Sequence, residues 1–359
     1  MKKITWVFFF LFFSISFSYA QDANNNNSLF RIIEINDAEN LRIAVSKEEN
    51  IEIRNLKGET PLFMAARLAS PEMVGILLAA SADIHALADD GLTPLHAVFI
   101  TPYDAIFSGK GIRFDQRLKT IELLLNVHGD VNIRDSMGRT PLMVFVMIYS
   151  RVQGYREEKS LLLNTLLSAG ADINAKDAYS FTPLLSALMG PNEDIALMLL
   201  EAGADIHERS AALPPPLHLA ASYGLAGAAS FLLRHGALVD EKFDGVTALH
   251  LATGLGLFSI EKEKDREPLQ EILQRTGVST HNLLDVTKLL IKYGADATLK
   301  SKEKKTVLDY AQNLGNREVA LYLKSLKKES IKNGAVNPVS ERKSSESPMQ
   351  LGIPLIEPL

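Results

Sequence analysis

An all-α repeat solenoid is the fold expected of this chain, on the strength of three features. A Thr-Pro-Leu-like tetrad recurs along the 359 residues. A Leu-Leu…Gly-Ala-Asp marker follows it in fixed phase. The period is about 33 residues wherever nothing is inserted. Self-similarity at one period is the signature of stacked repeats, in which each unit buries its apolar face only against its neighbours.

The tetrads are Thr60-Pro61-Leu62-Phe63, Thr93-Pro94-Leu95-His96, Thr140-Pro141-Leu142-Met143 and Thr182-Pro183-Leu184-Leu185. Pro215-Pro216-Leu217-His218, Thr247-Ala248-Leu249-His250 and Thr306-Val307-Leu308-Asp309 follow. The intervals from Leu95 to Leu142, from Leu142 to Leu184 and from Leu249 to Leu308 are longer than the rest, so three repeats carry insertions. The second marker is clearest at Leu166-Leu167…Gly170-Ala171-Asp172, Leu199-Leu200…Gly203-Ala204-Asp205 and Leu289-Leu290…Gly294-Ala295-Asp296. Weaker copies stand at Ala82-Asp83, Gly129-Asp130 and Gly236-Ala237.

Thr-Pro-Leu-His at this period resembles the ankyrin repeat, from about Asn55 to Lys328. The resemblance implies helix-turn-helix units joined by β-hairpin loops. Each position has a physical role. Thr caps the first helix with its hydroxyl, and Pro fits the first helical turn, where no amide donor is needed. Leu points into the stack, and the pairs Ala65-Ala66 and Ala220-Ala221 let neighbouring inner helices approach. The second helix brings paired leucines to the core and ends at a glycine suited to left-handed backbone. An Asp-x-Asn segment then enters a hairpin with Gly58, Gly91, Gly138 or Gly245 at its tip.

The domain expected from this is residues 29–328. A degenerate N-terminal cap spans 29–54, with Leu41, Ile43, Ala44 and Val45 as its helical face. Repeats run from 55, and a capping repeat spans 301–328, with Lys324, Lys327 and Lys328 on the polar outer face that a terminal repeat needs. Repeats two and three depart from the pattern, with His96-Ala97-Val98-Phe99 and Met143-Val144-Phe145-Val146 placing bulk where Ala is usual. Insertions follow them at about 100–116 and 147–157, so longer inner helices packed bulk against bulk are expected there. The third insertion, about 257–283, holds a charged run and then Leu269, Ile272 and Leu273 at amphipathic-helix spacing.

The ends read differently. Lys2-Lys3, the apolar stretch Ile4–Ser18 and Ser18-Tyr19-Ala20 form the three-part layout of a secretory signal, with cleavage expected after Ala20. The stretch is shorter than the roughly 20 residues that span a bilayer. Residues 21–28 form an Asn-rich linker, and 329–359 a polar tail expected to be disordered. Cysteine is absent, which excludes disulfides, thiol chemistry and a lipidated N-terminal cysteine. The net charge of −5 becomes −7 without Lys2 and Lys3, which argues against general nucleic-acid binding.

No Gly-x-Ser-x-Gly, phosphate-cradling glycine loop or His-Glu-x-x-His motif occurs. No catalysis, cofactor, metal or small-molecule substrate is therefore expected. The resemblance implies that His96, His218 and His250 bond backbone across adjacent turns rather than bind metal. It also implies a protein partner held by hairpin tips and the concave inner-helix face. Carried onto this chain, the tips are Leu56, Lys57, Glu59, Asp89, Asp90 and Leu92, then Met137, Arg139, Tyr179 and Phe181, then Leu213, Pro214, Phe243 and Val246. Arg67, Met189, Ser222 and Tyr223 are the inner-helix positions. The first half of this row is charged and the second aromatic, so a patch of Tyr179, Phe181, Tyr223 and Phe243 is expected, with Val246, Met137, Arg139 and Leu92 beside it. The chain is similar to signal-bearing ankyrin proteins of Gram-negative bacteria, implying a periplasmic scaffold. A secreted effector that binds a host protein, and a scaffold tethered by a retained N-terminal segment, are the alternatives.

Overall fold

The computed structural model describes residues 28–47, 50–100, 113–127, 129–190, 192–208, 213–255 and 269–332. The expected signal, most of the linker, the residues 101–112 and 256–268 of two insertions, and the tail from 333 onward lie outside them. The described residues are helical, and the only β pairings among them are isolated bridges, Phe243 with Val246 and Lys300 with Thr306. The expected β-hairpin loops are therefore turns closed by hydrogen bonds rather than paired strands.

The cap is a complete helix pair, α1 (Ser28–Glu34) and α2 (Ala38–Ser46). Leu29, Phe30, Ile33, Leu41 and Ala44 are buried, whereas Ile43, expected on the inner face, is exposed. Seven repeats follow, each with an inner and an outer helix. They are α3 (Pro61–Arg67) with α4 (Pro71–Ala79), α5 (Pro94–Ala97) with α6 (Phe114–Asn126), and α7 (Pro141–Tyr149) with α8 (Arg156–Ser168). Then come α9 (Pro183–Ala187) with α10 (Asp194–Glu201), and α11 (Pro216–Ser222) with α12 (Ala226–Arg234). In the sixth repeat α14 (Leu269–Thr276) stands between α13 (Ala248–Leu251) and α15 (Thr280–Lys292). The seventh is α16 (Val307–Asn313) with α17 (Arg317–Lys332), so helix continues into the start of the expected tail.

The predicted local chemistry is present. The hydroxyls of Thr60, Thr140 and Thr182 accept from the amides of Phe63, Met143 and Leu185 at 3.2–3.4 Å. Gly170, Gly203, Gly236 and Gly294 end outer helices at φ of 90–94°. Ala65, Ala66, Ala220 and Ala221 are fully buried between inner helices. One continuous core runs from Leu29 to Leu323.

Repeats two and three pack differently from expectation. Helix α7 is lengthened to nine residues, but α5 has only four. The bulky residues instead build an aromatic cluster across the two repeats. Phe99 meets Phe145 edge-on at 5.6 Å, Phe145 stacks on Tyr149 at 5.1 Å, and Phe114 from α6 closes on Tyr149 at 5.8 Å. Such ring pairs add about 0.5–1.5 kcal/mol each beyond area burial.

Buried cations finish these inner helices. The last carbonyls of a helix have no intrahelical donor and sit at the negative end of its dipole. Arg117 Nη1 donates to the Val98 carbonyl and Nη2 to Ile100 O at 3.5 Å. Lys159 Nζ donates to Val152 O, which also accepts from Asn192 Nδ2 at 3.3 Å. Burial holds the Lys159 ammonium below the ordinary lysine range. Elsewhere the same task falls to Arg113, which reaches Leu68 O at 2.5 Å, and to Asn316, which reaches Thr253 O at 3.2 Å.

The connections fall into two kinds. From outer helix to next inner helix the chain uses the segments 47–60, 80–93, 127–140, 169–182, 202–215, 235–247 and 293–306. They are equal in length except 235–247, which is shorter by one. From inner to outer helix the connection ranges from the tight turn 68–70 to the long segment 252–279. All three insertions therefore fall in the chain between an inner helix and its outer helix, never in a hairpin-tip connection. In the third, Leu269, Leu273, Val278 and Leu283 form a small separate core against Tyr223 and Leu314.

The contrast between two glycines tests this geometry. Gly91 has φ +77°, and a Cβ there would lie 2.5 Å from the Ser136 amide nitrogen of the next tip. Gly75 lies within α4 with nothing within 4 Å of its would-be Cβ. Gly91→Ala is expected to destabilise by at least about 1–2 kcal/mol, and Gly75→Ala to stabilise by about 0.5–1 kcal/mol. Urea denaturation of the two variants checks both signs.

Candidate protein-binding surface

Among the described residues, five tips are closed from within by the same bond. The amides of Asn55, Ala88, Asp135, Asp177 and Ser301 donate to the carbonyls of Glu59, Leu92, Arg139, Phe181 and Lys305 at 2.9–3.0 Å. Side chains hold the same loops from inside. Asp135 Oδ1 accepts from the amides of Met137 and Arg139 at 2.9 and 2.8 Å. Asp177 Oδ1 accepts from Tyr179 and Phe181 at 2.8 and 2.9 Å, and Asn55 Oδ1 from Lys57 and Glu59 at 2.9 and 3.0 Å.

Neighbouring tips are bonded to each other. The Asp89 amide donates to Lys57 O at 3.0 Å, Ser136 to Asp90 O at 3.2 Å, and Ala178 to Met137 O at 2.9 Å. Gly58, Gly91 and Gly138 permit this approach, since all three have positive φ and a Cβ on each would meet the next tip. Guanidinium groups staple the loop arms. Arg54 Nη1 donates to Gly58 O at 2.9 Å and to Leu87 O, and Arg134 Nη1 to Gly138 O at 2.7 Å and Lys176 O at 2.5 Å. A second row of side-chain acceptors runs beneath. The amides of Asp83, Asp172 and Asp205 donate to Glu52, Asn132 and Asn174 of the preceding repeat at 2.8–2.9 Å. The roles of Arg54 and Arg134 were not legible, because an arginine ahead of Thr60 or Thr140 stands in no distinctive local pattern.

The bonded tips decide which side chains face out. The residue just before the capping Thr turns inward, so Glu59, Leu92, Arg139 and Phe181 are buried. Leu213 and Ser222 are buried as well. The exposed row is carried two and three positions further up the loops. Leu56 is 79 % exposed and Tyr179 43 % exposed, while Met137 and Phe243 are half-buried. Val246 is half-buried, and its carbonyl accepts from Phe243 at 2.9 Å. Phe243 leans edge-on against the His218 ring at 6.3 Å. Tyr223 leaves the expected patch altogether. It caps α11 at the end away from the tips and packs beside Leu269 and Leu273, where burial raises its phenol above the ordinary range. The structure therefore brings Tyr179 and Met137 to neighbouring tips but does not assemble the four expected aromatic residues into one surface. Arg67 and Met189 keep partial exposure on the inner helices.

Charge is concentrated under the central tips. Arg139 binds Asp135 Oδ2 through Nε and Nη2, both at 2.6 Å, in a buried pair. Asp90 and Asp177 flank the pair from the adjacent tips. Desolvation pushes both carboxyls up, and the Arg139 charge opposes that rise. At the first tip, Glu59 Oε2 accepts from Asn55 Nδ2 at 2.6 Å and lies 3.7 Å from Arg67. Among the described residues no group of three or more His, Asp or Glu side chains is placed to hold a metal ion, and no helix is long and apolar enough to cross a membrane.

His96 and His218 have the bridging role implied by the repeat pattern, and His250 is held within its own repeat. Thr93 donates its amide to His96 Nδ1 at 3.2 Å, so that nitrogen is the acceptor and the proton sits on Nε2. Nε2 then donates to Arg139 O of the next repeat at 3.0 Å. His218 Nε2 reaches Val246 O of the following repeat at 3.3 Å, and His250 Nδ1 lies 2.8 Å from Thr247 Oγ1. Burial brings His96 down to about 4 and also lowers His250.

A stack of capped helix pairs tied by hydrogen-bonded tips defines an all-α repeat scaffold. Sequence profiles of the ankyrin repeat match residues 57–89 and 215–242, and a three-copy ankyrin profile matches 112–210. The chain belongs to the ankyrin-repeat family, whose fold is a non-catalytic type of interaction scaffold that binds protein partners. Among solved structures it is similar to the human ASB11 ankyrin repeat domain, with 20 % identity, 71 % of this chain and 96 % of that one covered, and a TM-score of 0.51. It is also similar to the ankyrin repeat domain of Bcl-3, described as a unique member of the IkappaB protein family. Identity there is 22 %, coverage 75 % of this chain and 99 % of that one, and the TM-score 0.50. No curated protein matches the sequence.

The buried imidazoles predict an acid response. Above the ordinary histidine value of 6.5 His96 is neutral folded and unfolded, and its contribution is fully present. Between 6.5 and about 4 only the unfolded chain takes up the proton, so stability falls as pH falls through that window. The limiting slope is about 1.4 kcal/mol per pH unit for one such group, and His250 adds in the same direction. The raised carboxyls of Asp90 and Asp177 act with opposite sign, above the ordinary aspartate value of 3.8. His96→Gln is expected to lower stability at pH 7.5 and to flatten the decline toward pH 4.5, as read by urea midpoints at both pH values.

Proposed function

We propose that this chain is an exported, non-catalytic scaffold that holds a protein partner along its row of hairpin tips. The observation that carries this reading is the tip-to-tip hydrogen bonding from Lys57 to Ala178. It presents side chains on a backbone already ordered, and a preorganised surface loses less entropy when a partner docks. Leu56, Lys57, Asp89, Met137 and Tyr179 occupy the outward positions of the first four tips, with Phe243 and Val246 further along. Met137 and Tyr179 supply the apolar anchor, since methionine and aromatic residues are enriched at interface centres. Leu92, Arg139 and Phe181 act from beneath by fixing the loops that carry those side chains.

Export is supported by the sequence of residues 1–20, with its basic start, apolar centre and Ser18-Tyr19-Ala20. The lack of cysteine suits a compartment where stability comes from stacked repeats rather than cross-links. The favoured compartment is the periplasm of a Gram-negative cell.

Two measurements test the proposal. The mature chain isolated from cell fractions is expected to begin at Gln21 and to leave the cytoplasm, whereas a start at Met1 rejects cleavage. Affinity capture from envelope extract is expected to yield a defined partner with the wild-type chain. Met137→Ala with Tyr179→Ala should weaken that partner by at least about tenfold in a direct titration, the loss typical of a hot-spot pair. Retained affinity with an unchanged thermal midpoint rejects the tip row as the docking surface.

A further inference from the structure

The outer face of the final helix carries an unusual charge pattern. Arg317, Leu321, Lys324 and Lys328 recur at intervals of four, three and four along α17, and all four are exposed. At 100° per residue they fall within an arc of about 60°, on a line about 16 Å long. Lys327 borders the stripe and is exposed as well. The opposite side of the helix, with Val319, Ala320 and Leu323, is buried in the last repeat. Residues 317–328 hold four cations against Glu318 alone, a net +3 on a chain whose total is −5.

Four lysines elsewhere in this part of the stack are occupied. Lys302 sits on Asp244, Lys305 on Glu303, Lys288 on Asp285, and Lys242 Nζ on Lys300 O at 3.1 Å. Arg317, Lys324, Lys327 and Lys328, by contrast, have no ion pair among the described residues. Between them stands Leu321, 67 % exposed in the middle of the charge. A large apolar side chain gains nothing from water there, and its cationic neighbours keep other copies of the helix away.

We infer that this face docks on an anionic phospholipid surface. The stripe is the outside of one helix, whose groups diverge and do not converge on a peptide. A planar anionic surface needs no concavity. Three of the four cations are lysines, point charges without the paired fork that selects a carboxylate geometry. Lysines near a lipid surface attract it additively, and a leucine among them can enter the headgroup boundary. The contact would be reversible, holding the tip row beside a membrane without crossing it.

Flotation of the full chain with phospholipid vesicles tests this. One set is phosphatidylcholine alone, and the other contains about one-third phosphatidylglycerol. The wild-type chain is expected to float with the anionic set in low salt, and that preference should vanish in about 1 M salt, where screening acts within about 3 Å. Lys324→Gln, Lys327→Gln and Lys328→Gln together should reduce the phosphatidylglycerol-dependent fraction at least about tenfold. Leu321→Ala should reduce it by a smaller factor. Residues 1–20 are common to all the chains, so any lipid contact of theirs cancels in the comparison. The substituted side chains are exposed, and an unchanged thermal midpoint confirms folding. Equal flotation of the wild-type and triple-variant chains overturns the inference. So does lysine-dependent binding to soluble polyglutamate that is tighter than to anionic vesicles, which would assign the face to an acidic protein instead.

Discussion

The order of the first four repeats comes from one interaction, the backbone hydrogen bond from one hairpin tip to the next. It requires adjacent loops to approach at backbone distance, so a Cβ cannot be accommodated at Gly58, Gly91 or Gly138. It also fixes the loop, because an insertion would shift donor from acceptor. That accounts for outer-to-inner connections of one length in all repeats but one, beside inner-to-outer connections that range from 68–70 to 252–279. Insertions accumulate in the inner-to-outer connections because nothing there must meet a partner in register.

Lateral bonding alone does not make a continuous solenoid, and the third insertion and the aromatic repeats show how packing adapts. Where Ala would let inner helices meet closely, Phe99, Phe145 and Tyr149 fill the space and recruit Phe114 from an outer helix. The same repeats carry buried Arg117 and Lys159, whose charges lie on helix carbonyls left without partners. A buried cation is costly unless its donors are used, and here each one closes a helix end at an insertion. The two irregularities noted in the sequence, bulk and insertion, are thus parts of one local solution.

For function, the architecture separates surfaces by mechanical character. The tip row is held by bonds within and between loops, so its exposed side chains ride on a rigid edge. The inner-to-outer connections carry the inserted material, the longest with its own small core around Leu269 and Tyr223. The last described helix carries a stripe of exposed cations. The proposed protein contact along the first surface and the proposed lipid contact at the last involve different residues.

The repeat class, the period, the helix caps and the glycines at the tips were legible in the residues alone, because each leaves a pattern within a few positions, and the bridging histidines followed from the family resemblance. His96 and its Thr93 partner lie three positions apart, and Thr60 caps a helix that begins at the next residue. Exposure along the tips was not legible, and the packing of the repeats settled it. Leu92, Arg139 and Phe181 read as surface positions from the loop pattern, yet the neighbouring repeat buries them. Tyr223 belongs by register to the inner-helix row, yet the helix supplied by a distant insertion places it in a separate core. Exposure in a stack is set by the next unit along, whose side chains a local pattern does not contain.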